Sequence, residues 1–138
     1  MLMHRHLLDL SLAASIFFVT ACDDSIRTNY ATAAAAHAVG AIQRGWLPPS
    51  LPDSAFDIVE SHVLDTNTGG GSFHFAPHDA DSFRAQLESV STEKVQTKVS
   101  DRTSLQRDGY TFHTEPGFLL AVNWQMGSVR FWLTPKTE

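Results

Sequence analysis

Cysteine is almost missing: the 138-residue chain has one, Cys22. A lone cysteine closes no internal disulfide and has no second thiolate with which to build a metal site of the CxxC kind. Cationic clusters are missing too. The 10 Lys and Arg against 15 Asp and Glu leave a formal charge of −5, with no Lys/Arg cluster anywhere, so the concentrated basic stripe of a nucleic-acid binder is excluded. No uninterrupted apolar run reaches the roughly 20 residues that a membrane-crossing helix needs. The HExxH, GxSxG and P-loop signatures are absent, and no serine stands in a nucleophile's context. The reading is therefore non-enzymatic, with no catalytic residue and no cofactor. What is present, 43% hydrophobic and 18% charged residues, is the composition of one globular domain with a modest core.

The solitary cysteine needs its own explanation, as a buried thiol, a nucleophile or something else. Its neighbours favour the last. Residues 1–9 carry Arg5 with His4 and His6, and residues 10–19 (LSLAASIFFV) are an uncharged, mostly apolar run, the n-region and h-region of a secretory signal. The block Val19, Thr20, Ala21, Cys22 resembles a bacterial lipobox, in which small residues precede a cysteine that is acylated on sulfur before cleavage on its amino side. The resemblance implies lipidation at Cys22, a signal peptide over residues 1–21 and attachment to the membrane through the acylated cysteine. Two or three acyl chains give stable anchoring where one is marginal. Asp23 and Asp24 then follow the lipidated residue. In enteric Gram-negative bacteria such an aspartate resembles a sorting signal for retention at the inner membrane, facing the periplasm; a solvated acidic linker over residues 22–27 is the plainer reading.

Residues 28–138 read as a single α+β domain. Residues 28–44 (TNYATAAAAHAVGAIQR) suggest a helix capped by Thr28 or Asn29, with Tyr30, Ala34, Ala38 and Ile42 as its stripe and Gly45 as a left-handed stop. Residues 46–53 (WLPPSLPD) hold three prolines and read as an extended connector with Trp46 and Leu51 packed down. Residues 56–64 and 72–76 read as a hairpin with DTNTGGG at its tip; pairing Val63 with Phe73 puts Val59, Ser61, Val63, Phe73 and Phe75 on one face and opposes His62 to His74 on the other. A second helix is expected over residues 77–90, and a polar strand or loop over residues 92–99. Residues 109–114 read as a strand with Tyr110 and Phe112 inward and His113 outward. Residues 118–125 and 128–133 read as a hairpin in which Trp124 faces Val129 and Leu120 faces Leu133. The sum is a mainly antiparallel sheet of about four to six strands with one or two helices packed on one face.

Five histidines outside the leader, His37, His62, His74, His78 and His113, invite a metal reading, but a metal site needs several converging ligands. Asp65 and Asn67 have the spacing of the first two EF-hand ligands, yet Ala76 stands where the terminal glutamate belongs. No metal ligand set is assigned.

The run RGWLPPSLPDSAFDIVESHVLDTNTGGGSFHF, residues 44–75, resembles a segment of small bacterial envelope proteins in which a helix ending in RGW leads through a proline-rich LP segment into a DIxExHxLDTN hairpin. Arg44, Gly45, Trp46, Leu51, Pro52, Asp57, Ile58, Glu60, His62, Leu64, Asp65, Thr66 and Asn67 carry the match. The resemblance implies a small α+β module and brings no catalytic residues; His62, Asp65 and Asn67 together serve either a binding site or turn geometry. The expectation is a lipid-anchored envelope protein that binds a protein or envelope component, with His62, His74, His113, Arg130 and Trp132 as the interaction surface. The alternative is a periplasmic metal- or small-ligand-binding lipoprotein that uses its histidines.

Overall fold

Residues 28–32 (TNYAT) set Thr28, Tyr30 and Thr32 at every second position, and they form a strand rather than the start of a helix. In the computed structural model, which describes residues 24–95 and 99–135, β1 runs Ser25–Thr32. The leader, Cys22 and Asp23 lie outside the described residues. Seven pairs join β1 to a strand further along the chain, and this pairing overrides the alanine-driven helix propensity until Thr32. There the threonine side chain accepts a hydrogen bond from the Ala35 amide at 3.2 Å and caps α1, Ala33–Ala38. The helix stops at Gly40, which has φ 71°. Its amide bonds to the His37 carbonyl while Ala41 bonds to that of Ala36, the paired closure of a Schellman motif. Gly45, at φ 78°, repeats the device with Ile42 and Ala41 as acceptors. The expected helix over residues 28–44 is thus a strand, six helical residues and two glycine-closed turns.

The prolines that follow do not run extended. Leu51 bonds back to Pro48 and Ala55 to Pro52, so the connector folds into two turns that bury Leu47, Leu51 and Ala55. Ser50 donates to Glu115 at 2.7 Å, tying the connector to the far side of the sheet.

β2, Phe56–Val63, and β3, Thr68–His74, form the expected hairpin, but Val63 pairs with Thr68 rather than Phe73. The tip is Leu64 to Asn67, and the three glycines lie inside β3. A Cβ on Gly69, Gly70 or Gly71 would run into the backbone oxygens of Ser61, Phe131 and Val59 respectively, so the sheet closes around a strand that has no side chains to offer. An irregularity between Phe56 and Val59, with Asp57 at φ 49°, inverts the expected facing. Ile58, Glu60 and His62 turn inward, and Val59, Ser61 and Val63 are half-exposed.

The second expected helix is also shorter. After a 3₁₀ turn at Pro77–Asp79, α2 spans Ala80–Ala85, and the chain then enters a short β4, Glu88–Val90. A 3₁₀ turn, Thr92–Val95, and a helix the sequence did not announce, α3 at Arg102–Arg107, precede β5, Thr111–Glu115. β6, Phe118–Asn123, and β7, Ser128–Leu133, complete one antiparallel sheet of seven strands in the order β1-β2-β3-β7-β6-β5-β4. The sheet is larger than the four to six strands expected, because β1 and β4 were both read as helix.

Helices cover both faces, not one. All six residues of β6 are buried: Phe118, Leu120 and Val122 join the larger core with Ala33, Ala36, Ile58, Phe73, Phe83 and Phe131, while Leu119 and Ala121 join a second core with Val95, Val99, Leu105 and Phe112 on the opposite side.

Candidate functional site

The two glycine-closed turns after α1 lay the Trp46 ring flat on the imidazole of His62, with ring centroids 3.7 Å apart and planes 8° from parallel. On β2, residues two apart share a face, and Glu60 sits beside His62 with its Oε2 2.8 Å from His62 Nδ1. Both are buried, at 2% and 6% exposure. A carboxylate only accepts, so the ring proton resides on Nδ1, and Nε2 is the end of the imidazole left for other chemistry. A tryptophan against its face and a carboxylate at its edge hold the ring in one orientation. Taking such a pair out of water costs several kcal/mol, which a single good hydrogen bond barely offsets.

Beside the pair lies a cavity of about 480 Å³. Ile26, Thr28 and Tyr30 supply its β1 wall, Val39 and Arg44 come from the turns, and Trp46, Glu60 and His62 close the base. The rim is apolar: Ile26 and Val39 are 45% and 51% exposed. Among the described residues, Arg44 is the cation at this rim and the buried Glu60 the carboxylate that lines it.

The motif residues Arg44, Trp46, Glu60 and His62 therefore converge on one cavity. Of the rest of the motif, Leu51 and Ile58 belong to the core, Asp57 and Asn67 both hold φ 49°, at the irregularity of β2 and at the hairpin tip, and Asp65 and Thr66 lie in that tip. Sequence reasoning assigned Trp46 to the connector and missed its stack on His62; the signal available was that RGW and ExH belong to one motif.

The interaction surface drawn from sequence does not survive as one surface. Arg130 and Trp132 alternate with core residues on β7 and lie on the outer face, with the Arg130 guanidinium 5.3 Å from the Trp132 ring and bonded to Asp101 at 2.6 Å. His74 shares that face through its alternation with buried Phe73 and stacks on Phe56 at 5.5 Å. His62 and His113 are on the other side and buried, because the inverted facing of β2 turns His62 inward and α2 covers the region of His113. His62 pairs with Gly69, not His74. Across the outer face, Arg27, Ser61, Gly70 and Trp132 form one row over four strands, flooring a shallow cleft of about 400 Å³. Among the described residues no three His, Cys, Asp or Glu side chains converge as metal ligands, so the histidine-based alternative has no assembled donor set there. Asp24, exposed, begins the described chain.

Residues 24–74 match the family model of the YbbD head domain. No curated protein and no solved structure matches the chain. The YbbD-head match covers less than half of the sequence and ends with β3, yet every residue lining the Trp46 cavity lies within it. β4 to β7 and α3 fall outside.

Proposed function

We propose that the chain is a lipid-anchored protein of the bacterial envelope, attached through acylated Cys22, whose domain binds a partner rather than catalysing a reaction. Asp23 and Asp24 favour the periplasmic face of the inner membrane in a Gram-negative cell. The net charge of −5 opposes adsorption to anionic lipid, so the acyl chains carry the attachment. The partner is a protein or envelope component that places an apolar group between Ile26 and Val39, against the Trp46 and His62 rings. The observation that carries this reading is the buried Glu60–His62 pair beneath Trp46, confined with its cavity to the segment that resembles the YbbD head domain.

The test places a photo-reactive residue at Val39 or at Met126, both exposed, in the full chain within its native envelope, with labelled palmitate in the growth medium. One protein crosslinked from position 39 and not from 126, and lost in Trp46→Ala, is the expected result, with label on the wild type and none on Cys22→Ala. Equal capture from both positions would sink the cavity reading, and an unlabelled wild type would sink the anchor.

A further inference from the structure

Glu60, 2% exposed, uses one of its two carboxylate oxygens inside the fold: Oε2 accepts from His62 Nδ1–H at 2.8 Å. Oε1 has no hydrogen-bond partner among the described residues. It is not sealed from solvent either, because His113 Nδ1 is the only fully enclosed side-chain nitrogen or oxygen among those residues that lacks a partner. The small surface that Glu60 keeps opens on the Trp46 cavity, which it lines. His62 Nε2 is also unbonded and not sealed, on a ring that lines the same cavity. The base thus presents acceptors that lack a donor.

The surroundings select the kind of donor. Hydrogen bonds between two charged groups are roughly twice as strong as neutral ones, so a buried carboxylate oxygen favours a cation. A guanidinium fork grips both oxygens of a carboxylate, and Oε2 is already held by His62. A compact ammonium needs Oε1 alone. Above the base stand Tyr30 and the Trp46 ring, and the rim carries Ile26 and Val39, 45% and 51% exposed, a lining suited to an unbranched hydrocarbon stem. Arg44 at the rim opposes a cation, but its side chain is exposed and water screens it. The carboxylate below acts in a lower dielectric, where the same charge counts for more. The net charge of −5 also draws cations toward the domain.

We propose that the Trp46 cavity takes a lysine side chain of the partner protein, with its four-carbon stem between Ile26 and Val39 and its ammonium donating to Glu60 Oε1. This rests on the reading that a partner fills the cavity, and it names the group that does so.

n-Butylammonium is the probe, since it has the stem and head of lysine alone, with 1-butanol as its neutral counterpart. Each is titrated into the full chain in detergent micelles while the Trp46 indole N–H signal is followed by NMR. Butylammonium moves that signal saturably, and butanol binds at least about tenfold more weakly. Glu60→Gln weakens butylammonium by about tenfold or more. Arg44→Gln strengthens it by about two- to threefold, and because that side chain is exposed the variant reports even if Glu60→Gln disturbs the core. No saturable shift, equal binding of the two probes, or weaker binding in Arg44→Gln would overturn the proposal. Crosslinking from position 39 tells its failure from that of the partner reading. Specific capture there without any butylammonium binding removes the lysine and keeps the partner, whereas equal capture from 39 and 126 removes the partner itself. Acetylating the lysines of the envelope before the protein is added should abolish capture; capture that survives it would overturn the lysine assignment even where butylammonium binds.

Discussion

A buried glutamate held by one histidine is an unusual thing for a small domain to keep. Replacing both partners of such a pair by apolar residues is often neutral or stabilising, whereas removing one strands a charge and costs about 3–5 kcal/mol. His62→Ala should therefore lower stability by about 3–5 kcal/mol in urea unfolding, since Glu60 at 2% exposure loses its partner and Trp46 its stacking surface. Glu60→Leu with His62→Phe should cost much less than the two single changes added together. Additivity within about 0.5 kcal/mol would show that the pair does not act as a unit. At this scale the sequence was informative about identity and silent about geometry. Arg44, Trp46, Glu60 and His62 stood in one recognisable motif, but the 3.7 Å stack depends on two left-handed glycines folding the chain back after α1, and alternation alone could not place it.

Strand β3 explains why so much register was lost. GGG after DTNT has the composition of a flexible tip, and only the neighbouring strands show that a side chain there has no room. A Cβ on Gly71 would lie 2.7 Å from Phe131 Cζ and closer still to the Val59 carbonyl. Gly45 has φ 78° and open space around it. Gly71→Ala should thus cost about 3 kcal/mol, at the upper end for overpacking, and Gly45→Ala about 1–2 kcal/mol from its left-handed backbone alone. Thermal unfolding of the two variants ranks them, and a smaller loss at Gly71 would contradict the close approach of β2. The β6–β7 hairpin, whose β6 is buried on both faces, read better. In β6 and β7 the expected pairing slipped by two residues, from Trp124 facing Val129 to Val122 facing Val129; a slip of two keeps every side chain on its own face. β1 was misread because alanines just downstream dominate local propensity, while the pairing to β2 that decides the matter is remote in sequence.

Over the whole molecule, burial acts in opposite directions on two titrating groups of β5, His113 and Glu115. Burial lowers the pKa of His113 from 6.5; the unfolded chain takes up that proton first, so stability is present above 6.5 and falls as pH drops from there toward the folded value. Burial raises Glu115 above 4.5, partly opposed by its Ser50 hydrogen bond. The fold binds this proton more tightly than the unfolded chain, so stability rises as pH falls through the folded pKa toward 4.5. Asp101, lowered from 3.8 mainly by its hydrogen bond from Arg130, and Asp79, lowered by Ser54, matter only below that range, where their protonation removes stability. Acidification from neutrality should therefore produce a loss that begins near 6.5 and is partly offset above 4.5, before the steeper fall below 3.8. Chemical denaturation across this range checks it through two variants. Glu115→Gln should raise stability at pH 7, where the half-buried carboxylate is ionised, and remove the offset. His113→Phe should flatten the slope just below 6.5 whatever its effect on absolute stability. An unchanged slope in His113→Phe would mean that another histidine carries the acid sensitivity, and would contradict the buried, neutral imidazole on the β5 strand.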